Sequence, residues 1–265
     1  MLTLVFHDGY LKRYPTGAVE TPARARAVFS KLKEFYPVVT PEPASKADIL
    51  RAHDPEQLVR VQLEGLDVLA AAFLAAGGAL CAAQLALSGR CAFAAIRPPG
   101  HHAGRNRYGG FCFFNNMAVA VLSLLEKGLA KSAAVVDIDM HRADGTAEIL
   151  GDDSRVHLVD MTLADGADLM DRLESRLEEL GPVDVIGVSA GFDLHVQDWG
   201  NLLTNGDYHR IGRVLGETAR RKARGRLFAL LEGGYTAHAL GKAALAFCRG
   251  LEGKEGWETV AERRA

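Results

Sequence analysis

Cysteine is scarce: four residues in 265, Cys81, Cys91, Cys112 and Cys248, with no CxxC spacing among them. That excludes a disulfide scaffold and a thiolate metal site. Sitting inside apolar runs, the four read as reduced, buried thiols of a cytoplasmic protein. An excess of either charge is also missing. Thirty-one basic residues face 33 acidic ones, a formal net charge of -2, which gives no electrostatic reason to expect a nucleic-acid partner. The one basic cluster, Arg220, Arg221, Lys222, Arg224 and Arg226, reads as the solvated end of a helix rather than a phosphate track. The opening residues MLTLVFHDGY lack a basic stretch followed by an apolar run and a small-residue cleavage site, so no signal peptide is expected. One apolar run, Leu66–Leu87, approaches membrane length, but Gly77, Gly78, Gln84 and many alanines weaken it. A buried helix, and no membrane span, is the expectation there.

Apolar sequence is what the chain has in quantity: 48% of residues are hydrophobic, ample for the core of one large α/β domain or two small ones. Short β-rich runs at residues 2–6, 92–96, 133–139, 156–161, 183–189 and 226–231 alternate with helical patterns. Most are dense in Val, Ile and Leu on both faces, as strands covered by helices on each side of a parallel sheet are. Helices are expected at 117–127, capped by Asn115 or Asn116 and ended by Gly128, and at 168–180, stopped by Gly181-Pro182. Two more are expected, at 207–223 with Asp207 as cap and at 237–251. With no internal repeat or linker, the reading is one α/β domain over residues 1–265, three layers α/β/α around a mostly parallel central sheet.

The polar residues with least structural excuse fall at the carboxyl ends of these runs, where open parallel sheets bind ligands. In VVDIDMHRADG, Asp137, Asp139 and His141 alternate with other residues, so at period two they project from one face of the strand end. Two carboxylates and an imidazole there would repel and lose hydration unless a cation joined them. A bound metal resolves this; a polar strand tip reaching solvent is the other reading. In RPPGHHAG, Pro98 and Pro99 end a strand, and His101 and His102 follow Gly100, where backbone can approach a ligand closely. A surface loop would read the same. VSAGFD runs an apolar strand into Asp193, and LLEGGY brings Tyr235 to a strand end behind Gly233 and Gly234. Glu232 is either buried with a partner or exposed at a rim.

Taken in order, RPPGHHAG, GGFCFFNN, VVDIDMHRADGT, VSAGFD, LTNGDY and LLEGGY resemble the zinc-dependent deacetylase family of histone deacetylases, acetoin-utilisation proteins and acetylpolyamine amidohydrolases. The resemblance covers most of residues 90–250, and its last three motifs, with ETPARARAV near Glu20, are most similar to the polyamine and class II branch. It implies the arginase–deacetylase fold and one Zn2+ per chain on Asp139, His141 and Asp193, with an open position for water and the amide carbonyl. It also implies His102 as general base, His101 as the second histidine, Asp137 and Asp144 as their respective partners, and Tyr235 as donor to the oxyanion. Gly110 and Phe111 become one wall of the acyl channel, and a potassium ion is implied near Asp137. The implied substrate is an acylated amine, a small molecule or an acetyl-lysine peptide; the pattern says nothing of oligomeric state.

Three departures bear on this expectation. Arg142 and Ala143 stand where the family shows a second histidine or a glutamine, then glycine, and Arg142 either flanks the site or points to solvent. Asp160 stands near a position that is often serine, close to the implied potassium. After Met161 only TLADGA precedes the next helix, which leaves the opposite aromatic wall of the channel without an obvious residue. A wider, shallower pocket is expected unless a second subunit or the segment around His7–Glu20 supplies that wall. Two rivals stand beside the hydrolase. A two-manganese ureohydrolase needs further paired aspartates, and VSAGFD offers only one. A catalytically weakened binding module has no need of the whole residue set. The mixed nitrogen and oxygen ligands would also accept iron, cobalt or manganese.

Overall fold

The computed structural model describes residues 1–162 and 169–255. Among these, seven strands form one sheet: β1 Thr3–Val5, β2 Val38–Val39, β3 Ala92–Ala94, β4 Ala133–Asp137, β5 Val156–Asp160, β6 Val185–Ala190 and β7 Leu227–Leu231. Their order across the sheet is β2-β1-β3-β7-β6-β4-β5, and every neighbouring pair is parallel. Six of the strands fall on the β-rich runs of the sequence. The exception, β2, has two residues at the sheet edge, too few to show any alternation.

Every residue of β1, β3, β4, β6 and β7 is buried. Successive side chains of a strand point to opposite faces, so burial of all of them requires cover on both. The helices supplying it are α1 Pro22–Leu32, α2 Lys46–Ile49, α3 Pro55–Leu63, α4 Leu66–Leu87, α5 Asn116–Glu126, α6 Asp144–Leu150, α7 Leu169–Glu179, α8 Asn205–Lys222 and α9 Ala237–Leu251. Helix α4, the run of near-membrane length, packs across β3 and β7 with α5 beside it, and most of it is buried in the molecule. Helices α1, α9, α8 and α7 contact one another in that order as a second layer.

Local corrections follow from hydrogen bonding. The cap of α8 is Thr204; Asp207 is its partner in a capping box, each side chain accepting the other's backbone N–H. The start expected for α7 at residue 168 lies outside the described residues, as does most of the TLADGA segment. In the basic cluster, Lys222 is more than solvated, since its Nζ donates to the carbonyls of Leu177 (2.9 Å) and Glu178 (2.7 Å) at the end of α7. Two of the cysteines, Cys81 and Cys91, are only partly buried.

Candidate active site

Adjacency of β3, β7, β6 and β4 brings four carboxyl ends together; eight of the ten residues singled out for the site lie on or just beyond them or on the turn into α6, while Gly110 and Phe111 lie further along the loop between β3 and α5. The period-two reading of Asp137, Asp139 and His141 needs correction. β4 stops at Asp137, and the chain turns there because Asp137 Oδ1 accepts the N–H of Asp139 (3.0 Å) and Asp139 Oδ1 that of His141 (2.9 Å). The carboxylates thus serve two directions: Asp137 faces His101, while Asp139 and His141 meet Asp193.

His141 Nδ1 lies 3.1 Å from Asp139 Oδ1 and 3.0 Å from Asp193 Oδ2. One ring nitrogen cannot donate its single proton fully to both, and buried Asp193 Oδ2 is left without a hydrogen bond. The other oxygens are committed to backbone: Asp139 Oδ2 accepts the Gly233 N–H (2.8 Å) and Asp193 Oδ1 the Met140 N–H (3.1 Å). Burial, together with Asp139, pushes Asp193 up to about 6, and the adjoining Asp139 and Asp193 carboxylates lift His141 to about 10. The three converging atoms are spaced much like ligands on a tetrahedral ion, where bonds of about 2.0 Å put them about 3.3 Å apart. The donor set therefore fits a small divalent cation taking the place of the His141 proton.

The histidines form a second unit. Their rings are 4.1 Å apart; His101 Nδ1 donates to Asp137 Oδ2 (3.2 Å) and His102 Nδ1 to Asp144 Oδ1 (2.8 Å). Burial opposes charge on His101, but Asp139 and Asp137 outweigh it and hold its pKa well above the ordinary histidine value. Burial and the neighbouring His101 depress His102, against Asp144. So the pair carries one proton's charge, on His101, and His102 remains a neutral base with Nε2 uncommitted. Asp144 is shared with Arg107 Nη1 (2.9 Å), which in turn holds Glu148 (2.7 Å).

Several residues around Tyr235 escaped the sequence reading. Arg24 is buried and donates to the carbonyls of Gly234 and Glu232, with its guanidinium 4.7 Å from the Tyr235 ring centre. Glu20 pairs with Arg24 (3.1 Å) and Arg97 (2.8 Å) and accepts from the Tyr14 hydroxyl (3.0 Å). The i,i+4 spacing of Glu20 and Arg24 was the available signal. Glu232 is the buried alternative of the two considered: Oε2 accepts the N–H of Gly100 (2.7 Å) and of His101 (3.2 Å). Burial pushes it up to about 7, against His101. Cys112 is a free, buried thiol, as read from the sequence, and lies in a tight group with His101 and Glu232. Asp198 accepts the backbone N–H of Tyr235 (2.8 Å) and Thr236 (2.6 Å), and Trp199 stacks on the Tyr235 ring with centres 4.1 Å apart. Burial raises the Tyr235 pKa against the pull of Arg24, which keeps its hydroxyl a donor. Phe111 meets the same ring edge-on at 5.8 Å, and Gly17 packs against Phe111 from the N-terminal segment. Arg142 is exposed and lines a cleft shared with Asp137 and Asp160. Asp160 is exposed too, and accepts the N–H of Ala143 (3.3 Å) and of Thr162 (3.0 Å).

The family described as histone deacetylase domain matches residues 18–168 and 166–251 of the chain. A probable deacetylase of Archaeoglobus fulgidus is 33% identical, over 88% of this chain and 81% of its own. The acetylpolyamine amidohydrolase of Mycoplana ramosa is 36% identical over 51% of this chain and 40% of its own. Among solved structures, the HDA15 HD domain superposes with a TM-score of 0.81 over 96% of this chain and 90% of that one, at 24% identity, a likeness of fold.

Proposed function

The chain belongs to the histone deacetylase domain family, and on that premise we propose that it hydrolyses an N-acetyl or other N-acyl amide on a lysine, polyamine or similar amine, within one catalytic domain spanning residues 1–265. The observation that carries this reading is the convergence of Asp139 Oδ1, Asp193 Oδ2 and His141 Nδ1 beside the paired rings of His101 and His102. Asp139, His141 and Asp193 would hold one zinc ion. When bound, zinc supplies a Lewis acid for the amide carbonyl and a water whose pKa falls towards about 7.

Each remaining residue has a task its surroundings suit. His102, neutral and oriented through Asp144, takes a proton from the attacking water on Nε2 and returns it to the leaving nitrogen, which departs as the free amine. His101, kept charged by Asp137 and Asp139, favours the negative charge that gathers as the carbonyl becomes tetrahedral. Tyr235 donates its hydroxyl to that oxygen, its backbone fixed by Asp198 from one side and by Arg24 through the Gly234 carbonyl from the other. Gly110 and Phe111 line the channel. A potassium ion near Asp137 belongs to the same reading: the Asp137 carbonyl and Oδ1 each accept one N–H, from Met161 (2.9 Å) and Asp139 (3.0 Å), leaving each a lone pair. Replacing potassium by a bulky organic cation in the assay should then lower turnover.

The deciding experiment combines metal analysis with turnover of acetyl-lysine peptides and acetylpolyamines. One equivalent of zinc is expected in the native protein and none in Asp193→Ala. His102→Ala should keep the metal and lose on the order of 10²–10⁴-fold in kcat. A protein that takes up no transition metal even when zinc is supplied would sink the mechanism and leave a metal-free binding module.

A further inference from the structure

Side chains at the mouth of the site form a closed circuit. The rings of His102 and His141 lie 5.8 Å apart, those of His141 and Trp199 6.1 Å, Trp199 and Tyr235 4.1 Å, and Tyr235 and Phe111 5.8 Å. Gly110, next to Phe111, closes the loop, because a Cβ there would strike the His102 ring. One ring of this circuit, His141, carries the nitrogen that meets Asp139 Oδ1 and Asp193 Oδ2. Phe111 meets the Tyr235 ring edge-on at 68°, whereas Trp199 lies nearly parallel at 21° and covers a face of it.

We infer that Trp199 is the second aromatic wall of the substrate passage, opposite Phe111, and that it selects amides carried on a neutral, unbranched methylene stem. The inference rests on the amide-hydrolase reading and adds to it the chemistry of the amine. Trp199 is built in as a fixed surface. Its backbone N–H is held by Asp198 Oδ1 (2.9 Å), while Asp198 Oδ2 holds the backbone N–H groups of Tyr235 and Thr236. One residue on, the Gly200 N–H donates to the Asp193 carbonyl (2.7 Å), and Leu203 N–H to that of Leu194 (2.8 Å). The loop is thereby tied at once to the backbone of the ligand residue Asp193 and to the backbone of Tyr235.

What this rigid loop presents outward is apolar or neutral. Val196, Trp199 and Leu202 are 39%, 49% and 50% exposed, Gln197 and Asn201 are exposed and uncharged, and the Asp198 oxygens are committed to N–H groups. An ammonium a few bonds from the amide would find no free carboxylate on this wall. A methylene stem would find an indole face, which buries apolar area with little loss of side-chain freedom because the indole is already fixed.

The test compares N-hexylacetamide with N-acetylputrescine on zinc-loaded native protein, Trp199→Ala and Trp199→Phe, alongside an emission titration. Trp257 is the chain's other tryptophan, so in a Trp257→Phe background the fluorescence reports Trp199 alone. Trp199→Ala should raise KM for the hexyl amide about tenfold or more with kcat within about threefold. Trp199→Phe should recover most of that, N-acetylputrescine should be much less affected, and N-hexylacetamide should shift the Trp199 emission saturably. Unchanged KM in Trp199→Ala, or an equal fall in kcat for both substrates, would reduce Trp199 to a prop for Tyr235 and overturn the inference. If the native protein turns over no acylated amine, the hydrolase reading fails by itself. The emission titration then still decides: a saturable shift upholds the Trp199 wall, and none removes it.

Discussion

His53 shows how a single buried residue makes folding answer to pH. Its Nδ1 donates to the Gly104 carbonyl (2.8 Å) while Nε2 accepts the Asn115 N–H (2.9 Å), so only the neutral ring satisfies both. Burial accordingly pushes its pKa down to about 4. The unfolded chain, near the ordinary value of about 6.5, takes up the proton first as pH falls. The stabilisation is therefore complete above pH ~6.5 and is lost as pH drops through about 4, by about 2 kcal/mol already at pH ~5. Urea unfolding of native protein and His53→Gln should show their stability gap narrowing by that amount between pH ~7 and pH ~5; a gap independent of pH would refute the neutral-ring assignment. Glu20 poses the opposite case, one buried carboxylate against two buried guanidiniums. Glu20→Gln should cost about 3–5 kcal/mol in the same measurement, because Arg24 and Arg97 then face each other uncompensated; a loss below about 1 kcal/mol would show that water reaches them. Residues of this kind were not legible in the sequence. Asp139, His141, Asp193 and Tyr235 stood out because each interrupts or closes an apolar strand. His53 and Asp198 act on backbone groups far away in the chain and nothing local marks them, while Arg24 offers only its i,i+4 spacing to Glu20.

Among the elements, those buried on both faces were the legible ones: β4, β6 and β7 announce themselves as unbroken apolar runs, whereas β2 has only Val38 and Val39 to show. The misreading at the end of β4 came from extending strand periodicity past Asp137, where side chains replace the sheet as acceptors of the backbone N–H groups. Helix α4 carries a more testable tension. Gly77, in its middle, sits where a Cβ would collide with the Glu42 carbonyl and come within 2.8 Å of the Ala44 nitrogen. Helix propensity alone favours alanine over glycine by about 1 kcal/mol. Here close contact with the backbone at 42–44 should reverse the sign, so Gly77→Ala lowers the midpoint of chemical unfolding. A raised midpoint would mean that the 42–44 segment moves aside at little cost.

For the molecule as a whole, the site is a concentration of buried carboxyl groups. Asp137, Asp139, Asp193 and Glu232 are each 3% exposed or less. A cation that binds only the folded chain adds about 2.7 kcal/mol at a hundredfold excess over Kd. At about 2–4 °C per kcal/mol for a chain of this size, chelation should lower Tm by roughly 5–10 °C and zinc should restore it. Asp193→Asn should be indifferent to both, and native protein sharing that indifference would rule out the metal site. The sheet order has another consequence, for how the chain is made. β7, last of the strands in sequence, lies in the middle of the sheet between β3 and β6. While the ribosome is still synthesising it, the amino-terminal group β2-β1-β3 and the later group β6-β4-β5 each present an unpaired edge. The nascent chain thus has to be made as far as Leu231 before the two groups can join, and until then their unpaired edges are open to aggregation and to proteases.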